Sequence, residues 1–266
     1  MKKYISDWTV REVIRKGDVC LLRMVLEGDD PELFPDIMPG QFVQVKVEKS
    51  PLTYLRRPIS IHFVNSEERE IGLLVQVIGE GTKIIAGVAT GEKLNLIYPL
   101  GNGFSLPVNE DKRQRFLLVG GGVGVAPLLL LGHRLKRLGF TPDFLLGAFS
   151  ADKFFDNKPF EETGNLYLTT EDGSAGEKGY VTDHTVLETW NYDFIYTCGP
   201  RPMMKAIAGY ALSKGIPCEV SLENTMACGI GACLCCVEKT VGGNVCVCTA
   251  GPVFNILELQ SWRGLK

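Results

Sequence analysis

The sequence predicts a multi-domain β plus α/β protein: an antiparallel β-barrel at the N-terminus, a parallel α/β domain after it, and a small cysteine-rich loop module at the C-terminus. Three observations carry this reading. From Tyr4 to about Val108, short alternating segments rich in β-branched residues are separated by turn residues. From Phe116 onward, apolar strands alternate with helical patterns. Finally, seven of the nine cysteines fall between Cys218 and Cys248.

Barrel strands are expected at Trp8 to Ile14, Val19 to Leu26, Phe42 to Val47, Pro58 to Val64 and Ile71 to Ile78. Gly17-Asp18, Gly28-Asp29-Asp30, Pro39-Gly40 and the charged run Ser66 to Glu70 supply the turns. A charged linker, Asn109 to Arg115, places a boundary near residue 112. Beyond it, strands are expected at Phe116 to Val119, Asp143 to Phe149, Asn165 to Thr169, Phe194 to Thr197 and Cys218 to Ser221, with helices at Pro127 to Leu138 and Met203 to Lys214. In the first helix Leu128, Leu131, Leu135 and Leu138 share one face and Arg134, Lys136 and Arg137 the other, a packing stripe. The divisions are therefore 1–111, 112–221 and 222–266, and the last is expected to be too small for a core of its own, held by something other than apolar burial.

With 45% hydrophobic and 22% charged residues, the chain is neither disordered nor fibrous. A net charge of −3, spread along the chain, gives no basis for nucleic-acid or anionic-membrane binding. The longest uncharged stretch, Phe116 to Gly132, is broken by five glycines and Pro127, so no membrane span is expected. The first ten residues lack the apolar run of a secretory signal, and a cytoplasmic location is expected. Three histidines leave little material for a histidine metal site or a nucleophilic triad. In a cytoplasmic chain the crowded cysteines favour metal or cluster ligation over disulfides.

Phe116-Leu117-Leu118-Val119 runs into Gly120-Gly121-Gly122-Val123-Gly124-Val125-Ala126-Pro127 and then a leucine-rich helix. A strand, a glycine loop and a helix in this order let the backbone approach a pyrophosphate and aim the helix N-terminus at it. Thr197-Cys198-Gly199-Pro200 forms a second glycine turn at a later strand end, so that two turns on one sheet edge bracket one ligand. Cys228, Cys233 and Cys236 form C-x4-C-x2-C, the spacing of plant-type [2Fe–2S] ligation when a fourth cysteine follows. Gly229 and Gly231 let the loop wrap the cluster. Cys246 and Cys248 both stand where a fourth ligand belongs. Cys235 sits inside the C-x2-C step, and Cys20 and Cys218 read as strand packing.

The pairing of G-x-G-x-x-P with C-G-P resembles the pyridine-nucleotide domain of the ferredoxin reductase family. That resemblance implies that Gly122 and Gly124 approach the dinucleotide phosphates while Cys198 and Gly199 flank the nicotinamide. It also implies an FAD site in the barrel. Arg57, Pro58, Ile59 and Ser60 match the family's R-x-x-S, and Gly81 and Thr82 match its G-x-G-T. Leu74, Val75 and Gln76 lie on the strand that would line the flavin, and of the adjacent arginines the resemblance selects Arg57 over Arg56. After Phe149 comes Ser150-Ala151-Asp152-Lys153 without the arginine of NADPH-specific relatives, which favours NAD(H), while Lys153 keeps NADP(H) open.

The order of FAD barrel, nucleotide domain and cysteine loop, with Gly251-Pro252-Val253-Phe254 following Cys248 after two residues, is similar to the electron-transfer subunits of two-subunit bacterial NAD-dependent dihydroorotate dehydrogenases. The likeness implies Cys248 as fourth ligand, alongside FAD, a [2Fe–2S] cluster and NAD(H). It further implies an FMN-containing dihydroorotate dehydrogenase catalytic subunit as partner, in a heterotetramer of two of each. Diaphorase-type subunits of NAD(P)H:ferredoxin or sulfur-reducing complexes share the same motifs and stand as the alternative.

Overall fold

Alternation in the first hundred residues closes into a six-stranded antiparallel barrel in the computed structural model, which describes every residue except Met1, Asp29, Lys49, Leu52, Asn109, Glu110 and Lys266. Asp29 of the expected Gly28–Asp30 turn and Asn109 and Glu110 of the expected linker thus lie outside the described residues. The elements are β1 (Tyr4–Lys16), β2 (Val19–Val25), β3 (Phe42–Val45), β4 (Arg57–Asn65), β5 (Glu70–Gln76), helix α1 (Glu80–Ala86) and β6 (Lys93–Leu100), and the barrel order is β1-β2-β5-β4-β3-β6. Strand β6, absent from the sequence reading, closes the barrel by pairing with both β1 and β3. Trp8, Leu22, Val43, Val45, Leu73, Leu96 and Tyr98 fill the interior. Because Val43 and Val45 point inward, the alternation of a strand turns Phe42 and Gln44 to the outer face, beside their β4 partners Ser60 and Pro58.

The second sheet is built from β7 (Phe116–Gly121), helix α2 (Ala126–Arg137), β8 (Asp143–Ala148), α3 (Lys158–Thr163), β9 (Asn165–Thr170), β10 (Glu177–Lys178), α4 (Val186–Thr189), β11 (Phe194–Cys198), α5 (Arg201–Lys214) and β12 (Cys218–Ser221). Its order, β10-β9-β8-β7-β11-β12, is parallel, and β7 is buried throughout, as its unbroken apolar run requires. Pro127 stands in the first turn of α2, where a missing N–H costs nothing. The expected stripe on α2 needs correction. Leu138 is exposed, whereas Leu129 and Leu130 are buried, because the helix is wedged between sheet and barrel. Leu130 joins the barrel core, and Arg134 pairs with Asp36.

The remaining elements are β13 (Val237–Thr240), β14 (Gly243–Cys246), α6 (Val247–Ala250) and β15 (Val253–Asn255). β13 and β14 form a hairpin, while β15 adds itself antiparallel to β12 as the seventh strand of the large sheet. The expectation that apolar burial does not hold this segment is corrected. Cys236, Val247, Cys248, Phe254, Ile256, Leu259 and Trp262 are buried in one cluster with Leu117, Val119, Ile195 and Val220 of the parallel sheet. The segment borrows its neighbour's core.

Candidate functional site between barrel, sheet and cysteine loop

The two glycine turns meet. β7 and β11 are parallel neighbours with Gly120 opposite Cys198, and the strand order runs outward in opposite directions from them, the position where α/β sheets bind ligands. Gly122 has φ +56° and open space before it, and it lines the cleft. Gly124 serves a different purpose. A Cβ there would lie 2.4 Å from the Gly199 Cα and 2.6 Å from the Cys198 carbonyl oxygen, so only glycine lets the loops touch. Gly199, at φ +146°, packs against Gly121 and Met203. Cys198 is buried, its thiol raised by desolvation and by the charge of Glu223.

A cavity of about 610 Å³ opens from this junction toward the barrel. Gly121, Gly122 and Phe149 border it on the sheet side, and Leu74 and Gln76 of β5 on the barrel side. Val75 turns into the barrel core. Lys153 also lines the cavity, and Lys16 donates to the carbonyl of Phe154, a lining residue, at 2.7 Å.

On the barrel, the Arg57 guanidinium lies over Gly81, where a Cβ would come within 2.6 Å of Nε. A basic group thus rests on a side-chain-free first turn of α1, a cradle suited to a pyrophosphate. The Thr82 hydroxyl is occupied by the turn: it accepts from the N–H groups of Ile78 and Gly79 at 3.0 and 3.1 Å and donates to the Gly79 carbonyl at 3.0 Å. Arg56 is committed to the barrel, donating to the carbonyls of Gln44 and Asn95 at 3.1 and 3.0 Å. Ile59 packs toward the barrel core, leaving Pro58 and Ser60 on the outer face.

The cysteine loop gathers its thiols. Gly229 and Gly231 have φ +71° and +87°, and the Ile230 N–H points at the Cys228 Sγ at 3.4 Å. Desolvation opposes ionisation of Cys228, yet the backbone N–H groups of Ile230, Cys233 and Ala232 with the Cys233 thiol outweigh it and bring Cys228 down to about 6. Buried Cys236 accepts from the Cys248 N–H at 3.4 Å. Desolvation and the adjoining Cys236 thiol raise both Cys246 and Cys248, the latter to about 12. Both thiols therefore reach Cys236, while Cys235 turns aside to the Thr225 carbonyl at 3.5 Å. Among the described residues no three of these side chains close tightly enough to hold a single ion, yet Cys228 beside Cys233, and Cys236 beside Cys246 and Cys248, supply the soft sulfur donors that an iron–sulfur cluster takes.

Two further polar groups were missed from the sequence. His62 on β4 lines the cavity at 5% exposure and bonds the Ala126 carbonyl through Nδ1 at 2.9 Å. A carbonyl only accepts, so Nδ1 carries the proton and Nε2 is the acceptor. Burial holds this imidazole down at about 4, hence neutral. Glu223, just past β12, is raised by burial and acts on Cys198. Its signal was a carboxylate two residues beyond a buried strand end; that of His62 was a histidine two residues beyond the R-x-x-S motif.

Known proteins share this arrangement. Residues 223–260 match the family described as the iron–sulfur cluster binding domain of dihydroorotate dehydrogenase B. The chain is 40% identical over 243 residues to the dihydroorotate dehydrogenase B (NAD(+)) electron transfer subunit of Shouchella clausii, covering 89% of this chain and 91% of that one. The corresponding subunit of Bacillus pumilus is 38% identical, with 97% and 98% covered. Among solved structures, an NADH-dependent reduced ferredoxin-NADP oxidoreductase superposes with a TM-score of 0.83 at 28% identity, over 97% of this chain and 91% of that one. The cytochrome b5 reductase domain of Ulva prolifera nitrate reductase shares the fold, with a TM-score of 0.64 at 18% identity over 80% and 94%. Likeness of this extent, running from the barrel through the cysteine loop, makes the chain a member of the family of electron transfer subunits of NAD(+)-dependent dihydroorotate dehydrogenase B.

Proposed function

We propose that this chain carries electrons from the FMN of a dihydroorotate dehydrogenase catalytic subunit through a [2Fe–2S] cluster and FAD to NAD⁺, in a cytoplasmic heterotetramer of two subunits of each kind serving pyrimidine biosynthesis. The observation that carries the reading is proximity: the glycine turns and the β4–β5 strands share one cavity, and the cysteine loop packs on Gln44 of β3, the strand paired with β4. FAD supplies the chemistry that joins the ends, exchanging a hydride with nicotinamide and single electrons with a cluster.

The chain's own residues bind and orient. Arg57 over Gly81 neutralises the FAD pyrophosphate, with Thr82 fixing that turn, while Pro58, Ile59 and Ser60 form the flavin strand. Leu74 and Gln76 wall the cleft, and Val75 braces it from within. Gly122 admits the NAD(H) phosphates, and Gly124 holds Cys198 and Gly199 at the nicotinamide. The Glu223 carboxyl, its pKa raised by desolvation, stands near Cys198 and raises that thiol. Cys228, Cys233, Cys236 and Cys248 hold the cluster, with exposed Ile230, Leu234 and Val237 around it as the partner-facing surface. The three working parts are 1–111 for FAD, 112–221 for NAD(H) and 222–266 for the cluster, with β15 of the last part locked into the second.

The near-complete superposition on a ferredoxin-linked oxidoreductase favours one other reading, a diaphorase-type subunit with a different partner. Anaerobic affinity purification from the native cell, followed by an assay of dihydroorotate-dependent NAD⁺ reduction, separates the two. Activity with an FMN-bearing partner is the expected result. An intact flavin–cluster complex without it would assign the chain to the alternative.

A further inference from the structure

We propose that the carboxamide of Gln44 donates a hydrogen bond into the iron–sulfur site, linking the barrel strands of the flavin cradle to the cluster. The inference rests on the reading that Cys228, Cys233, Cys236 and Cys248 hold a [2Fe–2S] cluster.

Gln44 has no exposed surface, and neither its Oε1 nor its Nε2 has a hydrogen-bond partner. Among the described residues it is the one side chain with two such orphaned atoms. Its neighbour Gln41 is buried as completely and is satisfied: its Oε1 accepts from the Met38 N–H at 2.8 Å, and its Nε2 donates to the Gly101 carbonyl at 2.9 Å. The barrel therefore pairs a buried amide where it has the means. An amide left open at the next outward position of the same chain segment marks a place where a bound group completes it, since leucine would otherwise fill the site without the desolvation penalty.

Its surroundings identify the group. Gln44 lies opposite Pro58, next to the Phe42–Ser60 pair, so one side borders the R-x-x-S strand. On the other side it presses on the cysteine loop. A Cβ at Gly229 would fall 2.5 Å from the Gln44 Cγ and 2.6 Å from Nε2, so the amide rests against the backbone beside Cys228 with no side chain between. Gly229 must be glycine twice over, for this contact and for its φ of +71°. Thiolate and inorganic sulfur accept hydrogen bonds, and an N–H aimed at them stabilises the more negative reduced cluster, which raises its potential.

The test uses Gln44→Leu and Gln44→Met in the full chain, loaded and handled anaerobically. Iron, acid-labile sulfide and FAD are quantified, and the cluster midpoint is measured by an EPR-monitored redox titration. The expected result is full iron, sulfide and FAD with a cluster midpoint lower than wild type. An unchanged midpoint at full cluster content overturns the proposal, and so does a shift confined to the flavin, which would give the amide to FAD. Failure of both variants to fold would make the amide structural and also overturn it. Wild-type protein lacking iron and sulfide would instead refute the cluster reading beneath it.

Discussion

Two thiols compete for one place beside Cys236, and the surroundings of Cys248 favour it. Cys248 is buried and its own N–H is bonded to the Cys236 sulfur, whereas Cys246 stands half-exposed at the end of the β14 strand. Cys248→Ser is expected to lose or destabilise the cluster and Cys246→Ser to retain it, read as iron per chain after anaerobic purification; the reverse pattern would make Cys246 the ligand. His62 gives a residue-scale prediction in pH. Its imidazole titrates at about 4 in the folded chain, against an ordinary 6.5, because burial, helped by the charge of His133, outweighs the Ala126 carbonyl and the charge of Asp156. The unfolded chain therefore binds the extra proton first, so this group's contribution to stability is complete above pH 6.5 and lost as pH falls through 4. The loss amounts to roughly 3 kcal/mol. Urea unfolding across that window should show a slope that His62→Gln abolishes, and an equal slope in both proteins would remove His62 from the account.

At the scale of elements, five strands of each sheet were legible because burial on one or two faces writes itself into apolar period and turn residues, whereas the short β10 and β15 were not. β6 was missed: Lys93-Leu94-Asn95-Leu96 alternates as well as any strand, but it follows the glycine turn and α1, and what makes it a strand is closure against β1 and β3. The glycine loop and the cysteine spacing could be read locally, since each is a short run with its own chemistry. Gln44, His62 and Glu223 could not, because they belong to contacts between elements far apart in sequence. The same holds for the C-terminal segment, whose small size hid a core shared with the parallel sheet. Trp262, fully buried beside that core, links the two. Trp262→Ala should cost about 3–5 kcal/mol in stability and lower iron occupancy together with it. Full iron retention in the destabilised variant would show that the cysteine loop does not depend on the shared core.

At the scale of the whole molecule, the glycine turns face β4 and β5 of the barrel across one cavity, and the cysteine loop packs on Gln44 of the adjoining β3. Helix α2 is wedged between barrel and sheet, with Leu130 in one core and its glycine loop at the edge of the other. His62 fastens the flavin strand to the start of that helix, and Gln44 meets the cysteine loop on the far side of the same strands. In the proposed arrangement flavin stands between cluster and nicotinamide, and the central claim is that electrons pass from cluster through flavin to NAD⁺, and in the reverse order when NADH is the donor. The most direct test is anaerobic stopped-flow mixing of the purified, loaded chain with NADH, following flavin absorbance and freeze-quenched cluster EPR together. Flavin bleaching ahead of the cluster signal, with both lost when Gly124→Ala drives the glycine turns apart, is the result expected. A cluster reduced without prior change in the flavin, or a spectrum inert to NADH, would contradict it.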